Sequence, residues 1–257
     1  MTAVGAVLFD LDDTLLDAAA AWRSGVGSLL RHAPAVPLED GLAAWAEVFP
    51  GWFDRYLTGT VSLADSRAGR VTDWCALLDL DLPSGAALAW FDTFIEGYRA
   101  GWTMFDDVPG VLAELAGLPM GIVTNGDGAQ QREKVAALGL DAHVSVVVVS
   151  SDMGAAKPAP AMFGAAARAL GVRPGECVVV GDQWDTDIEG ALASGMRPVW
   201  LQRPGGAWLA SVLPAAPADG GAGAVSTIES LAELPEMLVP GLPGPGLPGP
   251  GLPGPGR

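Results

Sequence analysis

Basic residues are scarce in this chain. Twelve arginines and two lysines, Lys134 and Lys157, face 30 acidic residues and leave a formal net charge of −16. Binding along a nucleic-acid backbone rests on clustered Lys and Arg, so no nucleic-acid partner is expected, and the shortage makes each lysine conspicuous. Cysteine is rarer still: Cys75 and Cys177 lie far apart in apolar contexts, with no C-x-x-C or Cys/His cluster. That excludes a disulfide framework or a thiolate metal site and leads us to expect a reduced, cytoplasmic protein. Long apolar runs are missing too, none approaching the roughly 18 residues of a membrane span. The N-terminus meets Asp10 before any basic or signal-type apolar segment is complete, so neither membrane insertion nor a secretory leader is expected.

What the chain does have is apolar content, 50% of its residues, ample for a core. Part of it falls in short β-rich runs, Val4–Leu11, Met120–Thr124, Val144–Ser150, Cys177–Gly181 and Pro198–Leu201. Near-continuous runs of this kind read as strands covered on both faces of a parallel sheet. Between the later runs lie helical patterns, Gln130–Leu140, Pro160–Leu170 and Ile188–Ala193, each stopped near a glycine. The alternation predicts an α/β fold built on a doubly wound, mainly parallel, Rossmann-like sheet. Residues 18–102 break the pattern, because they show helical periodicity without a convincing strand, as in Trp45, Phe49, Trp52, Phe53 and Tyr56. Further helices are expected there around Val71–Leu80 and Gly85–Tyr98. We therefore expect a core from residues 1–17 and 103–239 and an all-helical cap from 18–102. Beyond it, VSTIESLAELPEML reads as a short strand and helix, and 240–257 carry three copies of GLPGP. The glycine spacing there alternates three and two, unlike collagen's strict triplet, so a disordered tail is expected.

In a doubly wound sheet, ligands bind beyond the carboxyl ends of the strands. The first expected strand ends in FDLDDT, with Asp10, Asp12 and Asp13; the second in VTNG, with Thr124 and Asn125. The third is followed by SSDMGAAKP, with Lys157, and the fourth by GDQWDTD, with Asp182, Asp185 and Asp187. Taken singly, an Asp after a strand is commonly a helix cap, Asn-Gly a plain turn and Lys-Pro a solvated residue before a helix. Their convergence on one sheet edge suits a phosphoryl group. Crowded carboxylates hold a hard cation such as Mg²⁺, while Lys157, the Thr124 hydroxyl and helix-start N–H groups bind the anion.

The ordered set DLDDT, VTNG, KP and GDQWDTD resembles the four signature motifs of the haloacid dehalogenase superfamily, and the helical insert resembles its type-I cap. That resemblance implies a phosphatase acting on a small phosphate ester, such as a nucleotide, sugar phosphate or biosynthetic intermediate, and working as a monomer or homodimer. It implies Asp10 as the nucleophile and Asp12 as general acid and base. Thr124, Asn125 and Lys157 would bind the phosphate, and Mg²⁺ would rest on Asp10, the Asp12 backbone carbonyl and Asp182. Asp187, with Asp185 beside it, would act on metal-bound water or Lys157 from one layer out. Asp13 is expected only to shape the turn. Because a halide leaves without a proton, the presence of Asp12 favours phosphate over halide chemistry. A phosphomutase, a phosphonatase, a dehalogenase-type relative and a non-catalytic metal- or phosphate-binding regulator are the alternatives. Of nine tryptophans, Trp22, Trp45, Trp52, Trp74, Trp90 and Trp102 fall in or at the end of the insert, where bundle packing is the first expectation. Arg55, Arg67, Arg70 and Arg99 could read extra phosphate or carboxylate groups of a substrate, but surface arginines are the commoner case.

Overall fold

The structure, a computed structural model, describes residues 3–204 and 225–238. The GLPGP segment lies outside the described residues. Strands β1 (Ala6–Phe9), β2 (Met120–Thr124), β3 (Val146–Val149), β4 (Cys177–Gly181), β5 (Arg197–Leu201) and β6 (Ser226–Ile228) form one six-stranded sheet in the order β3-β2-β1-β4-β5-β6. Every pairing is parallel, as expected for runs rich in valine and isoleucine that are buried on both faces. The two halves of the sheet diverge between β1 and β4, the switch point beyond which such sheets bind ligands. Side chains of β1 alternate strictly. Val7 and Phe9 join one apolar cluster, Ala6 and Leu8 the other.

Strand β1 is shorter than Val4–Leu11 because the chain turns away at Asp10, whose N–H makes a last ladder bond of 2.9 Å to the Val180 carbonyl. The helices are α1 (Ala18–Leu29), α2 (Leu38–Leu57), α3 (Leu63–Leu77), α4 (Ala87–Ala100), α5 (Val108–Glu114), α6 (Gly128–Ala137), α7 (Ser150–Met153), α8 (Pro160–Leu170), α9 (Glu189–Ala193) and α10 (Leu234–Leu238). Their ends follow local chemistry: Asp127 caps α6 by accepting from the Gln130 N–H, and α8 runs from Pro160 to a left-handed Gly171. None of the described helices is long and apolar enough to cross a membrane.

Helices α1 to α4 form the insert between β1 and β2. Its tryptophans mainly pack: Trp22 meets Trp45, Phe49, Phe94 and Tyr98 edge-on, and Trp45 and Trp74 are fully buried. Helices α1 and α4 approach closely because Gly97 has no side chain; a Cβ there would lie 2.5 Å from the Ser24 carbonyl oxygen. The insert's two ends lie together. Leu16 bridges Met104 antiparallel, and the Asp17 N–H donates to the Thr103 carbonyl at 2.9 Å.

Candidate active site

The carboxylates of FDLDDT are separated by the way the backbone turns. After Phe9 the N–H groups of Leu15 and Leu16 converge on the Leu11 carbonyl at 3.0 and 2.9 Å, and Asp13 takes a left-handed φ of 62°. This tight reversal aims the three side chains at three different partners. Asp10 pairs with the Lys157 ammonium. Asp12 points to Lys134, and Asp13 turns back to accept from the Ala18 N–H at 3.2 Å, where it helps start α1. Burial first, then the neighbouring Asp12 charge, pushes the Asp13 carboxyl up to about 7.

Lys157 Nζ also donates to Asp187 Oδ1 at 2.6 Å, so one ammonium bridges two carboxylates. Burial alone would lower its pKa, but Asp10 and Asp187 more than reverse that and hold it charged. Asn125 secures the lysine's backbone, its Oδ1 accepting from Lys157 N–H at 2.8 Å and its Nδ2 donating to the Lys157 carbonyl at 3.3 Å. Asp187 reaches the centre from a π-helical turn, Trp184–Ile188, and its Oδ2 accepts from the Gln183 N–H at 3.1 Å. Gly181, at the end of β4, makes that approach possible, because a Cβ would collide with the Asp187 carboxylate.

Asp182 is positioned by Thr14, which donates to its Oδ1 at 3.2 Å, and by the Trp200 indole N–H, 2.9 Å from its carbonyl. Carboxylate oxygens of Asp10, Asp182 and Asp187 lie within 4.8 Å of one another. Three carboxylates around one ammonium are under-neutralised. Accordingly burial, opposed by Lys157 and reinforced by Asp187, pushes Asp10 up to about 7, while burial and then Asp10 raise Asp182 well above the ordinary range. An all-oxygen donor set with excess negative charge fits a hard divalent cation such as Mg²⁺. The Asp12 carboxylate is outside this trio; the expectation involved only its backbone carbonyl. Asp185 lines the cavity without entering the trio.

Two residues of α6 escaped sequence reasoning. Lys134 Nζ lies 2.6 and 2.9 Å from the two carboxylate oxygens of Asp12, and Gln131 Nε2 donates both to Asp12 Oδ2 at 2.9 Å and to Thr124 Oγ1 at 2.7 Å. The scarcity of lysine was the available signal, since both lysines of the chain hold an aspartate of FDLDDT. A cavity of about 320 Å³ opens over these groups, its insert side formed by Trp22, Phe49, Phe53, Phe91, Arg70 and Tyr98. Arg70 corrects the surface expectation. It is 7% exposed, lies over Phe49 and Phe91 at 5.2 and 5.1 Å, and donates from Nε to the Ser66 carbonyl at 3.1 Å. It forms no salt bridge among the described residues, and burial, then the nearby Arg67, lowers its pKa to about 9.

The four strand-tip segments thus meet at one switch point. The sequence profile of the haloacid dehalogenase-like hydrolases matches residues 4–195. This chain belongs to that family. Human N-acylneuraminate-9-phosphatase is 32% identical to it over 222 residues, 80% of this chain and 85% of that protein. The phosphoserine phosphatase of Thermus thermophilus is 31% identical over 220 residues, covering 77% and 88% of the two chains. Among solved structures, the HAD-hydrolase YfnB of Bacillus subtilis superposes with a TM-score of 0.71 at 22% identity, covering 93% of this chain and all of that one (100%). A 2-haloacid dehalogenase from Pseudomonas syringae superposes with a TM-score of 0.60 at 30% identity, covering 91% and 98%. The candidate site lies where β1 and β4 part, and residues of the helical insert line the cavity above it.

Proposed function

We propose that this hydrolase cleaves a small-molecule phosphomonoester through an aspartyl-phosphate on Asp10, with Mg²⁺ as cofactor. The observation that carries this reading is the pairing of the Asp10 carboxylate with Lys157 in the cavity beneath the insert, with a second carboxylate, Asp12, beside it. An Asp10 oxygen attacks phosphorus in line, and the bond from phosphorus to the ester oxygen breaks. Asp12 gives its proton to the departing alkoxide. It then takes a proton from water, whose oxygen attacks phosphorus, releases inorganic phosphate and restores Asp10. Lys157, kept charged by its buried partners, balances the negative charge of the transferring group. Asn125 holds the loop that presents it. Mg²⁺, held by Asp10, Asp182 and the Asp12 carbonyl with Asp187 alongside, supplies countercharge to phosphate and carboxylates alike.

Relatives named as dehalogenases share the fold, but a halide needs no general acid, and Asp12 is here oriented by two side chains. A phosphonatase would be expected to place a Schiff-base lysine in the cap, whereas both lysines of this chain lie outside 18–102. Arg70 adds a fixed cation on the insert side of the cavity, suiting a substrate with a second anionic or strongly polar group. The deciding experiment is a phosphate-release screen over sugar phosphates, nucleotides, phosphoglycolate and phosphorylated amino acids with Mg²⁺, using Asp10→Asn as the blank. Release by the wild-type protein alone is expected; equal silence from both proteins across the panel overturns the reading.

A further inference from the structure

Lys134 is the second buried ammonium of the molecule, and the chemistry proposed above gives it no task. It is 3% exposed at its side chain, whereas its partner Asp12 keeps 32% of its own surface. Burying a lysine is costly unless it is paired. Here a two-oxygen contact with Asp12 offsets the cost, and Asp12 and the nearby Tyr98 keep the ammonium protonated against the effect of burial. Gln131 adds a third bond to the same carboxylate and ties it to Thr124. A half-exposed aspartate at a loop tip ordinarily samples several rotamers; bonds to both oxygens leave it one.

The second partner of Lys134 comes from the insert. Tyr98 sits near the end of α4, its ring centroid 5.3 Å from Lys134 Nζ, and the adjacent Arg99 reaches Glu133, the neighbour of Lys134, at 2.8 Å. Consecutive residues of α4 therefore engage consecutive residues of α6. The tyrosine is buried, and burial raises its hydroxyl to about 12, so it stays neutral beside the lysine.

We infer that Lys134 is a positioning residue: with Gln131 it fixes the Asp12 carboxyl toward the leaving-group side of the cavity, and through Tyr98 it makes that orientation depend on the docking of α4. This rests on the reading of Asp10 as nucleophile and Asp12 as general acid.

The test exploits what a general acid does. An alkyl phosphate needs a proton on its departing oxygen, and a 4-nitrophenyl or 2,4-dinitrophenyl phosphate does not. kcat/KM, which reports steps up to departure of the alcohol, is measured for glycerol phosphate and for both aryl esters with Mg²⁺ present. Lys134→Met should lose on the order of 100-fold on the alkyl ester, the lower range for general acid catalysis, and only a few-fold on the dinitrophenyl ester. Asp12→Ala should show the same leaving-group signature, and the double variant should lose no more than Asp12→Ala alone. Tyr98→Phe should reproduce it more weakly. Should Lys134→Met fail to fold, Lys134→Gln takes its place with the same expectation. Equal losses on all three esters, or none, overturn the inference while leaving the phosphatase reading intact. Absence of phosphate release from every ester by wild-type protein overturns both.

Discussion

At the residue scale, the acidic tip of β1 is tolerable because each carboxylate has a separate partner. Lys157 serves Asp10 and Asp187 together, so its removal strands two buried charges at once. Breaking a buried pair by deleting one partner costs about 3–5 kcal/mol; Lys157→Met should therefore lower stability by that order in urea titration as well as abolish turnover. Gly181→Ala should be smaller in stability but decisive in function. The added methyl must displace Asp187, overpacking costs about 1–3 kcal/mol, and a metal titration by calorimetry should show weakened Mg²⁺ binding. The surface pair Arg99–Glu133 marks the opposite limit. With side chains 49% and 44% exposed, it is worth about 0–1 kcal/mol, and Arg99→Ala should leave the melting temperature nearly unchanged.

At the scale of elements, legibility followed the locality of the signal. Helix α8 occupies Pro160–Leu170 as expected, because proline at its start and glycine past its end act within a few residues. Helix α3 begins at Leu63 rather than near Val71. Its opening turn is polar, and its start is written in a capping box in which Asp65 stands where Glu or Gln is commoner, so hydrophobic periodicity alone missed it. The motifs at the strand tips were readable because each sits beside its own strand. Gln131 and Lys134 were not, since they meet Asp12 across 119 and 122 residues and only the packing of α6 against the tip of β1 brings them there. Arg70 was read first as a surface residue for a related reason: a cation on a helix looks solvated until two aromatic neighbours from other helices enclose it. The same close packing makes α4 sensitive. Gly97→Ala should push α4 from α1 and cost about 1–3 kcal/mol, seen as a lower urea midpoint with an unchanged slope.

For the whole molecule, the balance of charge ties stability to pH and to metal. Asp10 and Asp182 have raised pKa values in the folded state, so between the ordinary carboxylate range and about 7 the folded chain binds more protons than the unfolded one. Stability of metal-free protein should consequently fall as pH rises through that window and recover as pH is lowered back through it. If the proposed Mg²⁺ binds there, a saturating concentration should take over the protons' role, flatten the dependence and raise the melting temperature; a hundredfold excess over Kd corresponds to about 2.7 kcal/mol. Thermal melts with Mg²⁺ or with EDTA across this range provide the check. Asp182→Asn should lose most of the difference between the two series, which diffuse repulsion across a chain of net charge −16 would not.

The paired entry and exit of the insert carry a further consequence. Since Asp17 and Thr103 are already hydrogen-bonded neighbours, the excursion between them is, for the sheet, a closed loop. The entropy of closing a loop grows only with the logarithm of its length, roughly 0.6 kcal/mol for each doubling. Helices can therefore be added to, trimmed from or replaced within that loop at little cost to the sheet beneath. The floor of the cavity and its roof are free to change at different rates, with the chemistry fixed below while the shape of what is admitted drifts above. An exchanged roof should still place a side chain against Lys134 where Tyr98 now stands.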